Sequence, residues 1–159
     1  MDVRMRSRGT RRGAFTLVEV VLVLSLIAVV AAIAVPRYVA SITHYRLGVA
    51  ARRIAVDLAV ARQRAKTTST SQTVVFGVAA NRYEMPGVAP LNGATGTYAV
   101  DLGSDPYRVT LLSADFAGRS TVTFSAYGFP DSGGTVVVEA GGVQKTIVLN
   151  PDTGRASTP

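Results

Sequence analysis

From Phe15 to Val35 the chain runs for 21 residues in which only Thr16, Glu19 and Ser25 are polar. As a helix such a stretch rises about 30 Å, the thickness of a bilayer's hydrocarbon core. A secretory signal also sets basic residues ahead of an apolar run, but its core is usually shorter, about 7–15 residues, and ends in small residues before a cut. Ala31, Ala32 and Ala34 supply such residues here, so length by itself leaves both readings open.

Glu19 separates them. A carboxylate inside an apolar span costs roughly 2.5–3.5 kcal/mol even on the lenient insertion scale, so a chain that keeps one has a use for it. The useful partner is a positive charge at the same depth. Cutting the leader just before Phe15 would create one, a free α-amino group four residues from Glu19 that can meet the carboxylate of a neighbouring copy.

The run Ala14-Phe15-Thr16-Leu17-Val18-Glu19 resembles the signature of the type IV pilin and pseudopilin superfamily: a small residue, Phe-Thr-Leu, a variable residue and Glu. Pro36 fits the same frame, since it falls where these proteins often carry a helix-kinking proline. Ala14 departs from the family, which usually has Gly at that place. Gly13 stands one residue earlier, and a cut after it would leave Ala14 first, but the cut between Ala14 and Phe15 suits Phe15, Glu19 and Pro36 together. The resemblance implies processing by a prepilin peptidase, N-methylation of Phe15 and extraction of the subunit from the inner-membrane lipid into a helical filament. Its partners would be the other pilins or pseudopilins of that filament.

The expected organisation is a leader over residues 1–14, a transmembrane helix over 15–35, its amphipathic continuation over 36–66 and a periplasmic β domain over 67–159. The net charge of +7 invites a nucleic-acid reading, but Arg4, Arg6, Arg8, Arg11 and Arg12 lie in the leader against Asp2 alone. Losing that leader leaves about +3 from side chains. The same arginines hold the amino terminus in the cytoplasm, which sends the rest of the chain to the other face of the membrane. With no cysteine, a disulfide framework and a thiolate metal site are both excluded.

A proline can kink a membrane helix without ending it, so the helix is expected to continue past Pro36 to about Lys66. Leu47, Ala51, Ile54, Leu58, Ala61 and Ala65 then form one apolar stripe that needs a sheet to cover it. The other faces carry Arg46, Arg52, Arg53, Arg62, Arg64 and Lys66, with Asp57 placed to pair with Arg53 one turn back. That basic surface reads either as a solvated or subunit-facing side, or as a contact for the phosphates of lipid or DNA. No aromatics interleave with it, so base stacking is not suggested.

Beyond the polar break at Thr67–Ser71 the pattern changes to strands. Gln72–Val78 and Arg82–Met85 flank a hairpin turn at Ala79-Ala80-Asn81, and Pro86–Gly96 reads as an exposed loop. Thr97–Leu102, Tyr107–Leu112 and Thr121–Ser125 follow. The clearest local signal is TVVVEA-GG-VQKTIVL, whose Gly141-Gly142 turn sets Ala140 opposite Val143 and Val136 opposite Ile147. One face then holds Val136, Val138, Ala140, Val143, Ile147 and Leu149 with Lys145 as its only charge, and should lie over the helix.

The expected class is therefore α+β: one long amino-terminal helix packed on an antiparallel sheet of about four to seven strands. This order also resembles the pilin fold. Within the superfamily, LAVARQRAKT, TFSAYGFPDSGG and TIVLNPDTGRAS resemble the GspH/FimT group of minor pseudopilins.

Groups for catalysis are scarce. His44 is the single histidine and reads as a solvated helix residue, while the carboxylates are scattered singly. Asp101 and Asp105 around Gly103 make a calcium loop conceivable, but no alternating set of oxygen ligands supports one. No catalytic residue, metal or cofactor is expected. Thr153-Gly154-Arg155 resembles the Gly-Arg-any-Arg ending by which some DNA-uptake pilins of this group contact DNA, yet Ser157 replaces the second arginine. Arg155 alone offers one phosphate contact, or simply an exposed turn after the last strand. The resemblance points to a non-catalytic minor pseudopilin of a type II secretion system, with a minor pilin of a type IV pilus as the alternative.

Overall fold

The computed structural model describes residues 16–90 and 95–159. Ala14 and Phe15, the expected cleavage and methylation positions, lie outside the described residues. Helix α1 (Leu17–Thr68) is followed by β1 (Gln72–Gly77), β2 (Arg82–Met85), β3 (Tyr98–Asp101), β4 (Thr110–Asp115), β5 (Thr121–Phe124), β6 (Gly134–Ala140), β7 (Val143–Leu149) and β8 (Ala156–Ser157).

Thr16 caps the start of α1: its Oγ1 accepts the Glu19 amide at 3.2 Å, satisfying one of the orphan donors of a first turn. The helix is assigned without interruption through Pro36 and ends two residues past the expected Lys66. There the hydroxyls of Thr67 and Thr68 donate to the Arg64 carbonyl at 3.1 and 2.8 Å, and Ser69 turns left-handed at φ 53°. Such local bonds offer the backbone an alternative to another helical turn.

The chain divides after Tyr38 into two compact units, and α1 contributes to both. In the first, every large apolar side chain from Leu17 to Val35 is exposed, and the helix is long and apolar enough to cross a membrane. A helix that is apolar on all sides finds its cover in lipid or in other helices.

In the second unit the expected stripe is the core-facing edge of α1: Leu47, Ala51, Ile54, Leu58, Ala61 and Ala65 are all buried. They join one cluster with Val74, Phe76, Tyr83, Val122 and Phe124 of one sheet and Leu111, Val136, Val138, Ile147 and Leu149 of another. The alanines let strands approach the helix closely, and Phe76 fills the centre with ring centroids 5.5 Å from both Tyr83 and Phe116.

The α+β class is as expected, but the strands form two four-stranded antiparallel sheets, ordered β3-β2-β1-β5 and β4-β6-β7-β8. The division arises because β5 returns to pair with β1, Gln72 opposite Phe124, while β4 pairs with β6. Between β4 and β5 the chain reverses through Ala117 and Gly118, both at positive φ. Alternation tells which face of a strand is buried and says nothing of which strand lies beside it.

Smaller differences have local causes. β4 starts at Thr110 rather than Tyr107, since the amides of Tyr107 and Arg108 donate to the Ser104 carbonyl in a turn, both at 3.0 Å. Val88, in the loop expected to be exposed, is buried, and the Tyr98 amide donates to its carbonyl at 2.7 Å. The β6–β7 register is as read, Ala140 opposite Val143 and Val136 opposite Ile147. β8 was not legible: two residues carry no alternation, and they pair with Leu149 and Val148 only because the Asn150 Oδ1 folds the chain back by accepting the amides of Asp152 and Thr153.

Candidate assembly site

The residues expected to act in assembly sit in separate places. Glu19 occupies the third position of α1, exposed among exposed Val18, Val20 and Val23. The Thr16 cap fixes the first turn around it, and a carboxylate there also faces the positive end of the helix dipole. What this arrangement can do is present one negative charge on an otherwise apolar surface, a point where an approaching cation is held in register. Pro36 lies within α1, and at that position the helix lacks one backbone donor.

Arg155 lies in the reversal between β7 and β8 rather than after the last strand. Its backbone carbonyl accepts the Asn150 amide at 3.0 Å, and its guanidinium is exposed, with no ion pair among the described residues. Gly154 beside it is buried at φ 62°, and an added Cβ would stand 3.1 Å from both the Gly128 carbonyl oxygen and Arg62 Nε. Arg62 Nε itself donates to that Gly128 carbonyl at 3.1 Å, tying α1 to the loop before β6.

The aspartates around Gly103 are already engaged. Asp101 Oδ1 accepts the Gly103 amide at 2.8 Å, and Asp105 pairs with Arg108 at 2.7 Å. That pairing holds the Asp105 carboxyl below its ordinary range. Among the described residues no three carboxylate or histidine groups converge as a metal site would require.

One polar centre was missed in part. Asp57 pairs with Arg53, Nε to Oδ2 at 3.1 Å, as the spacing predicts, but it does so inside the protein, with 4% of its surface exposed. Its Oδ2 also accepts the hydroxyls of Tyr83 at 2.5 Å and Tyr98 at 2.6 Å, and Arg53 Nη2 donates to the Tyr98 hydroxyl. Both tyrosines stand at inward positions of neighbouring strands, β2 and β3. Two inward phenols need a buried acceptor, and Asp57, three residues beyond Ile54 on the stripe, is the available one.

Burial pushes the Tyr98 phenol up to about 12, and its bond to Asp57 acts the same way. Tyr83 is raised as well, first by burial and then by the Asp57 charge. Burial acts to lower the Arg53 guanidinium, but the bond to Tyr98 and the Asp57 charge outweigh it, so it stays cationic. The cluster is a clamp between α1 and the first sheet.

Comparison with known proteins places these features in a family. The prokaryotic N-terminal methylation motif matches residues 9–35, and the family described as type II transport protein GspH matches residues 50–153. The chain belongs to the GspH family. This GspH chain is also similar in fold to two kinds of solved structure. The type IV minor pilin FimU of Pseudomonas aeruginosa aligns with TM-score 0.54 and 16% identity, over 73% of this chain and 90% of that one. The minor pseudopilin EpsH from the type 2 secretion system of Vibrio cholerae aligns with TM-score 0.55 and 12% identity, over 72% and 96%. Comparison with curated proteins returns no match. The GspH family, the methylation motif and the pilin fold together make this chain a type IV pilin-like minor subunit.

Proposed function

We propose that the chain is a minor pseudopilin of a type II secretion system, a non-catalytic subunit of a periplasmic pseudopilus. The observation that carries this reading is the tandem order of the two matches, a methylation motif over 9–35 followed by the GspH family over 50–153. In this reading prepilin peptidase cuts between Ala14 and Phe15 at the cytoplasmic face, and the amine of Phe15 is methylated. The helix then leaves the bilayer for the filament core. There Glu19 neutralises the Phe15 amine of a neighbour, each charge offsetting the other's cost of burial. Pro36 lets the helix bend to follow the filament, and the β domain stays in the periplasm.

A minor pilin of a type IV pilus is the second reading, favoured by the likeness to FimU at nearly the same TM-score as to EpsH. Deleting the gene in its native cell distinguishes the two. Loss of exported proteins with surface pili intact supports the secretion system, whereas loss of pili with export intact supports the pilus. In the pilus reading, a role in DNA uptake requires salt-sensitive DNA binding that Arg155→Ala weakens.

A further inference from the structure

In the second unit a groove of about 770 Å³ opens between α1 and the edge of the second sheet. His44, Arg52, Arg53 and Lys145 line it beside the apolar groups of Tyr45, Val49, Val56 and Ala156, and among the described residues no carboxylate does. Arg53 is neutralised by Asp57, but Arg52 and Lys145 have no ion pair among the described residues. One lies on α1 and the other on β7, so both walls of the groove supply a cation.

The sheet that supplies Lys145 is incompletely paired on one side. β7 pairs with β6 along its whole length, yet β8 covers it only at Val148 and Leu149. Among the described residues, no strand pairs with Val143–Ile147 on that side. An open edge beside a groove of mixed lining suits an extended segment, which can add main-chain hydrogen bonds while its side chains meet apolar and charged groups.

The chain is poorly equipped to fill this groove with its own acidic groups. Asp57, Glu84, Asp105 and Asp131 are paired with arginines, and Asp101, Asp115 and Glu139 accept backbone amides of their own turns. Beyond the apolar segment only Asp152 is uncommitted among the described carboxylates. Outside the leader the sequence carries 12 lysines and arginines against 9 aspartates and glutamates, so a second copy brings net positive charge to a basic groove. Phosphate alone would leave the apolar part of the lining, Val49, Val56 and Ala156, uncovered.

We infer that this groove docks an extended, acidic segment of a different filament subunit, held by Arg52 and Lys145 and by the open edge of β7. The identity of the occupant as a filament neighbour rests on the proposed function, whereas the acidic and extended chemistry rests on the groove alone.

The test uses the full chain purified from membranes in detergent and a fluorescein-labelled peptide of alternating Glu and Val, read by fluorescence anisotropy. Alternating Lys and Val, single-stranded DNA and anionic lipid in mixed micelles serve as the other probes. The acidic peptide should bind, and Arg52→Glu with Lys145→Glu should weaken it about tenfold or more, since both changes turn attraction into repulsion. Arg52→Glu alone, on an exposed helix position, should show part of the loss with an unchanged far-UV spectrum. Arg64→Glu, an exposed position farther along α1 and outside the groove, should leave binding within about twofold. Equal binding by the reversed variants, or stronger binding of DNA or lipid than of the acidic peptide at the same sites, would overturn the inference. In native cells, a photo-crosslinker at Val56 should join the chain to a different subunit, and a product joining two copies of this chain would contradict it. The peptide measurement requires no filament, so a chain that binds the peptide yet never enters one would sink the proposed function and leave the groove chemistry intact.

Discussion

Asp57 shows how a single residue can hold a helix to a sheet. Its carboxylate is buried and takes three donors on one oxygen, so removing it strands two phenols and takes the ion-pair partner from Arg53. Asp57→Ala removes two phenol hydrogen bonds to a charged acceptor, at about 1.5–3 kcal/mol each, and should cost about 3 kcal/mol or more, measured by urea unfolding at neutral pH. Tyr83→Phe, which removes one hydrogen bond to a charged acceptor, should cost about 1.5–3 kcal/mol. An Asp57→Ala loss below that of Tyr83→Phe would mean that the clamp carries little of the folding energy. The pH dependence follows from the same cluster. Tyr98 is raised in the folded state, so its contribution is complete below the ordinary tyrosine value of about 10 and is lost as pH rises toward about 12. Unfolding midpoints followed across pH 9 to 12 should fall through that window, and Tyr98→Phe should flatten the fall.

At the scale of elements, Asn81 joins the two sheets. It supplies the left-handed residue of the β1–β2 turn at φ 51°, and its side chain donates to the Val109 carbonyl at 2.9 Å and accepts the Leu111 amide at 2.7 Å. Asn81→Gly keeps the backbone conformation and loses both bonds, which should cost about 1–3 kcal/mol. Asn81→Ala loses the same bonds but keeps the Cβ strain of the left-handed region that glycine relieves, so it should cost about 1 kcal/mol more than Asn81→Gly. Matched losses for the two variants in thermal or urea unfolding would show that the turn is not what Asn81 contributes. The sequence made most elements legible because each writes its own pattern: the stripe from Leu47 to Ala65, the alternation of Arg82–Met85, the Gly141-Gly142 turn. It hid what depends on partners far along the chain. That β5 lies beside β1, that Asn81 reaches β4 and that two tyrosines converge on Asp57 are all contacts between residues at least 26 positions apart. Glu19 was legible as a candidate for the opposite reason: a charge in an apolar run violates its local pattern, and no distant contact is needed to notice it.

For the whole molecule, the two units ask for different solvents. The core of residues beyond Tyr38 is covered from within, while the large apolar side chains of Leu17–Val35 are all exposed and find their cover in lipid or in other helices. A subunit that moves between those two covers needs Glu19 only in the second. Glu19→Ala should therefore leave membrane insertion unchanged, or slightly improved, while incorporation into filaments drops about tenfold or more, read by fractionating membranes from sheared filaments. A variant that assembled as well as the parent would remove charge pairing from the mechanism. Beneath this lies the claim that the chain enters the pilin pathway at all, and intact mass with amino-terminal sequencing of the protein from its native membrane tests it most directly. A mature chain beginning with N-methylated Phe15 is the expected result. A chain cut after Ala32 or Ala34, or left uncut, would contradict it.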